Sequence, residues 1–338
     1  AQKLPPPGPD GSIELKIALS NSPSLQGVVL TPDGQPAPGV SLALVKPGGM
    51  SDIQVENNRL NSYRSGKVTT SDAEGKFSVP STLDPEGQIA ALGAAGFAEV
   101  PVTEVRDSQK IVLQPFGQLE VTLKVGGQPA AGKELLVTYN NLGLQSDFNQ
   151  NRQTTDEQGK ITYQRLLPGT VEVVRLIKTS PSSWMHSDAT EVTITSGQTT
   201  QITLGGNGAS VVGHLHFAST NTEPVDYQGN MHLNQELPQF NSAEESQAFF
   251  QSPAGRAWQR QQKYYALEVH PDRSFSADNL APGTYSLNAS VSPAGLNGWR
   301  SQLGTANQQI TIPDNFDPAQ PIDIGDIELQ PPPAIMSH

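Results

Sequence analysis

Gly34-Gln35-Pro36-Ala37-Pro38-Gly39 returns further along the chain as Gly127-Gln128-Pro129-Ala130-Ala131-Gly132, and this recurrence decides the fold. Each copy follows an apolar run, Leu25-Gln26-Gly27-Val28-Val29-Leu30 in the first and Leu119-Glu120-Val121-Thr122-Leu123 in the second. Each precedes another, Val40-Ser41-Leu42-Ala43-Leu44-Val45 and Leu135-Leu136-Val137-Thr138-Tyr139. Such alternation marks half-buried strands, and the Gly/Pro cluster between them is turn chemistry. In Pro32-Asp33-Gly34 the proline presets φ and the glycine tolerates φ > 0.

A second signature occurs three times. Asp72-Ala73-Glu74-Gly75-Lys76-Phe77, Asp156-Glu157-Gln158-Gly159-Lys160-Ile161 and Asp272-Arg273-Ser274-Phe275 each precede a proline corner, at Pro85, Pro168-Gly169 and Pro282-Gly283. A turn, a short strand, a corner and another strand fit every copy. A third signature closes the units: Lys110-Ile111-Val112-Leu113-Gln114-Pro115 is echoed by Asp326-Ile327-Glu328-Leu329-Gln330-Pro331, and Ile13-Glu14-Leu15-Lys16 resembles a fragment of it. Repetition at this scale means one supersecondary plan used several times.

The expected fold is therefore all-β: three tandem antiparallel Greek-key β-sandwiches, prealbumin-like or Ig-like, with a short helical insertion in the third. The expected division is a Pro-rich arm and leading strand at 1–23, sandwiches at 24–116, 117–208 and 209–333, and a tail at 334–338. Helices are expected only in the insertion, at about 242–263. Short linkers at Pro115-Phe116-Gly117 and Gly205-Gly206-Asn207-Gly208 predict an elongated rod with limited bending.

Composition agrees. Among 338 residues, 31 Gly and 28 Pro exceed average usage, which is roughly 12% for the two together, as turn-rich β-proteins require. The net charge of −12 repels phosphate backbones and acidic membrane surfaces, so nucleic acid and membrane partners are not expected. The absence of cysteine removes thiol nucleophiles, thiolate metal sites and disulfides. No apolar run approaches the ~18 residues of a bilayer span. The chain begins Ala1-Gln2-Lys3 without Met, as expected where a signal or anchor has been removed.

The motif residues Gly27, Asp33, Gly34, Pro36, Gly39, Asp72, Gly75 and Phe77, with the Pro282-Gly283-Thr284-Tyr285 corner, carry a resemblance to the carboxypeptidase regulatory-like domain. That family implies a transthyretin-like sandwich and a non-catalytic role, because the domain is the appendage of the peptidases for which it is named. The second unit lacks the Asp before Gly127, and the third keeps Gly213 but has Asn221-Thr222-Glu223-Pro224-Val225 in place of the hairpin.

Ser242-Ala243-Glu244-Glu245 has capping-box spacing, and Ser252-Pro253 opens a further helical stretch through Trp258. The run from Phe249 to Trp258 resembles a segment of large planctomycete and related bacterial surface proteins. The resemblance implies a bacterial, exported, modular parent, located in the periplasm, at the cell surface or outside the cell. The insertion reads either as a lid, with Phe249, Phe250, Trp258 and Tyr264 docking inward, or as a recognition surface.

His214 and His216, at i and i+2, share one strand face, and His232 is expected on an adjacent strand. Together they form a candidate zinc or copper set, weighed against a solvated polar face. The Asp72 and Asp156 stretches lack the alternating carboxylates of a calcium loop and read as solvated turns. Trp184 and Trp299 stand in polar, loop-like contexts and, with Trp258 and Tyr264, are the candidate binding aromatics; Trp258 alternatively anchors the inserted helix. No HExxH, GxSxG, Walker A or GxGxxG pattern occurs.

The leading functional expectation is a non-catalytic structural or interaction module, monomeric and without cofactor, with an unidentified protein or glycan as its possible partner. The alternative is a carbohydrate- or peptide-binding module using loop aromatics and the third-unit insertion. A hydrolase with scattered carboxylates ranks last.

Overall fold

The computed structural model describes residues 24–46, 52–62, 67–80, 87–139, 142–145, 151–180, 183–217, 224–234, 239–252, 254–255, 258, 262–295 and 301–331. The 1–23 arm, the 334–338 tail and Trp299 lie outside the described residues.

The chain is all-β, and one plan is executed three times. In the first unit β1 (Ser24–Leu30) pairs with β6 (Lys76–Pro80) and β9 (Lys110–Val112). The facing sheet runs β5 (Val68–Thr70), β2 (Ser41–Val45), β7 (Gln88–Gly93), β8 (Gly96–Pro101), with a separate hairpin of β3 (Ile53–Glu56) and β4 (Arg59–Ser62). The second unit sets β10 (Gly117–Val125) among β11 (Gln128–Pro129), β14 (Lys160–Leu166) and β17 (Thr199–Gly205). Its other sheet is β13 (Arg152–Thr154), β12 (Glu134–Thr138), β15 (Gly169–Ser180), β16 (Ser183–Ile194). The third pairs β21 (Glu268–Val269), β22 (Ser274–Leu280), β18 (Ala209–His216), β25 (Ile322–Glu328) opposite β20 (Tyr264–Ala266), β19 (Val225–Leu233), β23 (Gly283–Pro293), β24 (Gly304–Ile312).

The repeated motifs do the same work in the first two copies. Asp72 Oδ1 accepts the N–H groups of Glu74 and Lys76 at 3.0 and 2.7 Å, and Asp156 Oδ1 those of Gln158 and Lys160 at 2.9 and 2.7 Å. In the third copy His270 takes the turn position of Asp72 and Asp156, its N–H donating to Ser274 O at 2.8 Å; Asp272 receives Ser274 N–H at 3.0 Å, and Arg273 at φ 70 stands where the other copies have Gly75 and Gly159. Both glycines press against the opening strand: a Cβ at Gly75 would lie 2.6 Å from the Val29 carbonyl, and one at Gly159 2.5 Å from that of Leu123. The preceding hydroxyl is buried and ties the turn to the hairpin, Ser71 Oγ to Ala37 O and Thr155 Oγ1 to Ala130 O, both at 2.7 Å. These carboxylates are committed to backbone N–H groups as the turn reading requires.

One pairing per unit departs from the antiparallel pattern: the closing strand runs parallel to the opening strand, β9 with β1, β17 with β10 and β25 with β18. Parallel neighbours need a crossover rather than a hairpin. In the first unit that crossover contains α1 (Val102–Ser108), which corrects the expectation that helices are confined to the third-unit insertion. It has seven residues and buries only Val102 and Val105, too few apolar positions to register as a period. The expected insertion helix is present as α2 (Ala243–Gln251), with Ser242 Oγ accepting Glu245 N–H at 3.1 Å and Glu245 Oε2 accepting Asn241 N–H at 2.8 Å.

The core is not divided as the repeats are. Leu42, Ile89 and Ala91 face the first sandwich interior. Ala43, Val45, Ala90, Leu92 and Phe97 on the opposite face join Ile53, Val55 and Leu60 of the hairpin and the core of the second sandwich, including Leu142 and Leu144, in one cluster. The central strands β2 and β7 are therefore buried on both faces, and burying a Val, Leu, Ile or Phe side chain contributes about 1.5–3 kcal/mol. The third sandwich has its own core around Met231, Phe275, Tyr285 and Leu287.

Candidate functional site

The outer face of β19, β23 and β24 is the most distinctive surface of the third sandwich. Period-two alternation turns Met231, Leu287 and Val291 inward, each fully buried, and their neighbours outward. Register then aligns those neighbours in rows across the strands. Gln228, Ser290 and Thr305 form one row, Asn230, Asn288 and Asn307 the next, and His232, Ser286 and Gln309 the third. Tyr264 on β20, 38% exposed, pairs with His232 and extends the third row.

A hydrogen-bonded chain crosses the centre. Asn307 Nδ2 donates to Asn288 Oδ1 at 2.6 Å, and Asn288 Nδ2 lies 3.3 Å from His232 Nδ1. Ser286 Oγ donates to Asn234 Oδ1 at 2.6 Å. Among the described residues the side chains of Gln228, Asn230 and Ser290 make no hydrogen bond to protein. The three rows carry no carboxylate, ammonium or guanidinium. Above them Met185, from the long β15–β16 hairpin of the second unit, and Gln302 wall a groove of about 530 Å³.

The junction that holds this wall is polar, with Arg175 and Asp278 buried at its centre. Arg175 on β15 reaches Asp278 on β22 and Glu268 on β21, at 2.8 Å each, and Lys133 closes on Glu268 at 2.7 Å. Burial pushes the Glu268 carboxyl up, but the Lys133 hydrogen bond and the two cations outweigh it and hold the group below its ordinary value. Burial raises the Asp188 carboxyl, against the pull of Lys263 and of the Asn279 amide. Ser187 Oγ accepts the N–H of Ala266 at 3.1 Å, so β16 is tied to β20 directly.

The residues expected from sequence to form sites are dispersed. His214 and His216 lie exposed on β18, whereas β19, which carries His232, belongs to the other sheet of the sandwich, so the three histidines do not meet. Among the described residues no group of three or more His, Asp or Glu is placed to hold a metal ion. Trp184 is in strand β16 rather than a loop; its Nε1 donates to Glu134 at 3.2 Å, Arg152 stacks 4.4 Å over its ring, and it packs against Leu136, Val174 and Leu176. Trp258 meets Phe250 edge-on at 5.8 Å, and Phe240, Phe249 and Phe250 complete a cluster of their own. None of these four rings joins the third sandwich's core, contrary to the inward docking expected of the insertion. Tyr264 and His232 are the two named candidates that come together, side by side on the amide face.

The amide residues themselves were not singled out from sequence. Their signal was alternation without charge: in Val225–Leu233 and Gly304–Ile312 the outward positions beyond Asp226 are Gln228, Asn230 and His232, then Thr305, Asn307, Gln309 and Thr311.

The fold and this face define a class, the tandem β-sandwich chain with a neutral polar groove. No protein-family model matches the sequence, so the likeness to carboxypeptidase regulatory-like domains stays a resemblance of motifs, and no curated protein matches either. Solved structures with partial likeness include the minor pilin GBS52 of Streptococcus agalactiae, at 18% identity and TM-score 0.29, over 53% of this chain and 94% of that one. The TIE protein of Bacillus anthracis aligns with 91% of this chain and 50% of its own, at 11% identity and TM-score 0.25. The shaft pilin SpaA of Lactobacillus rhamnosus GG aligns over 54% of this chain and 97% of its own, at 10% identity and TM-score 0.18. At these scores nothing about function follows from them. No helix among the described residues is long and apolar enough to cross a membrane.

Proposed function

We propose that the chain is a non-catalytic structural module of an exported, cell-surface-type bacterial protein, in which sandwiches at 24–116, 117–208 and 209–333 act as a stiff, monomeric spacer. The observation that carries this reading is the packing at the two junctions. The first and second units share a hydrophobic cluster and backbone hydrogen bonds, Gln145 N–H to Ile53 O at 2.9 Å and Val55 N–H to Gln145 O at 2.8 Å. The second and third are locked by the buried Arg175 pairs. Domains free to move relative to one another bury less and lack such ties. A spacer benefits from both, because bending at either junction would have to break a packed core or unpair a buried charge.

Small-angle scattering on the full chain tests the proposal. A rod-like profile that is unchanged between low and high salt supports it; a compact globule, or a profile that broadens into a flexible ensemble, counts against it. Sedimentation tests the monomer, and fractionation of the source cells tests export.

A further inference from the structure

We infer that the outer face of β19, β23 and β24 is a binding site for a neutral oligosaccharide. The inference begins from what the face lacks. In a chain of net charge −12, three consecutive rows on three strands present only amides, hydroxyls and one imidazole. A solvated sheet face is ordinarily where charged side chains collect. On the second unit's outer face Glu120 and Lys160 supply them, next to Gln201.

The chemistry of the face selects its occupant. An amide both donates and accepts, and so does every sugar hydroxyl, so neutral hydroxyls are matched without residual charge. An anionic ligand would need a cation, and among the described residues no lysine or arginine stands in the rows or the groove wall; Lys263 lines a separate pocket beside Tyr264. An extended peptide would need an open strand edge for its backbone, whereas here the ligand would meet the face of a sheet whose β19 and β23 have neighbours on both sides and whose end strand β24 is met at Thr305 by Gln330. An apolar ligand would find little to bury against beyond Met185 and the Tyr264 ring.

The geometry supports the same class. Neighbouring rows stand about 6.8 Å apart along the strands and neighbouring columns about 4.8 Å apart, a lattice that meets several hydroxyls of adjacent sugar units at once. The Asn307–Asn288–His232 chain fixes the central amides, while Gln228, Asn230 and Ser290 keep their hydrogen-bonding groups free of protein partners among the described residues. Tyr264 offers a half-exposed ring at the end of one row, against which a sugar ring stacks. The groove of about 530 Å³ falls in the range of small-molecule sites, which is roughly 300–1,000 Å³.

The test is a titration of the full chain with neutral hexasaccharides of glucose (β-1,4 and β-1,3), xylose, mannose and N-acetylglucosamine, followed by calorimetry and NMR. At least one is expected to bind saturably. Asn288→Ala removes the central amide, and Asn307→Lys places a bulky charge on an exposed position without touching the core; each is expected to weaken binding by roughly tenfold or more. Gln201→Ala on the second unit serves as a control with unchanged affinity, and melting curves confirm that all variants fold. The inference is overturned if no oligosaccharide binds at millimolar concentration, or if binding survives both face variants. It is equally overturned if an acidic polysaccharide outcompetes the neutral ones, or if the face proves to be a self-association surface, seen as a dimer that Asn307→Lys abolishes.

Discussion

The backbone N–H of Gln145 donates to the carbonyl of Ile53 at 2.9 Å, which makes a loop of the second sandwich a partner of a hairpin in the first. The side chains on either side of this contact, Val55 and Leu60 in the hairpin and Leu142 and Leu144 in the loop, lie in the same buried cluster as the second sandwich's core. The two units are accordingly expected to unfold together. Leu60→Ala, at a position 2% exposed, should cost about 2–5 kcal/mol. Calorimetry with hydrogen exchange should show protection falling in both units at once; loss confined to the first would contradict a shared core.

Arg175 and Asp278 form the buried lock of the second junction. Arg175→Met leaves the buried Asp278 carboxylate without its cation and should lose about 3–5 kcal/mol in denaturant titration. Adding Asp278→Leu removes the stranded charge, while Glu268 keeps Lys133. The double variant should therefore be more stable than the single one. The reverse order would mean that Asp278 is not a stranded charge once Arg175 is gone.

Glu99 supplies a pH dependence. Its Oε1 is buried without a hydrogen-bond partner, and burial pushes its carboxyl up to about 7 from an ordinary 4.5. Between those values the unfolded chain releases this proton and the folded chain retains it, so stability falls as pH rises through the window. The full effect is at most about 3 kcal/mol. Glu99→Gln should abolish that part of the slope between about pH 4.5 and 7 and leave the protein more stable than the parent at pH 8. A parallel pair of stability curves would show that the carboxyl ionises normally in the fold.

The Asp turns make a prediction of a different kind. Asp156→Ala removes the acceptor of two backbone N–H groups and should cost about 1–2 kcal/mol. Melting curves in calcium and in chelator should coincide for parent and variant alike. A calcium-dependent shift in the parent that the variant loses would mean that the carboxylate is a ligand after all.

The strand–turn–strand repeats were legible in the sequence because each is decided within a few residues. Asp72 bonds the N–H groups two and four positions on, and Gly75 is demanded by a local φ of 77°. The crossover helix Val102–Ser108 was not legible, since seven residues with two buried positions leave no periodic trace. Of the candidate aromatics, Trp184 was misplaced in a loop because its sequence neighbours are polar, although it belongs to a strand twelve residues long.

What the sequence determined alone is therefore the unit: which stretches are strands, where they turn, and that the plan repeats. Tertiary structure alone decided what the units share and what they display. Nothing in Ile89-Ala90-Ala91-Leu92 states that its two faces feed different cores, although the unbroken apolar run is compatible with it. Likewise Asn230, Asn288 and Asn307 are ordinary outward residues until pairing across three strands sets them in one row. The physical reason is range. Turn hydrogen bonds and side-chain alternation act over a few residues and are written locally, whereas register and inter-unit packing are fixed by contacts between residues far apart in the chain, which no single stretch of sequence contains.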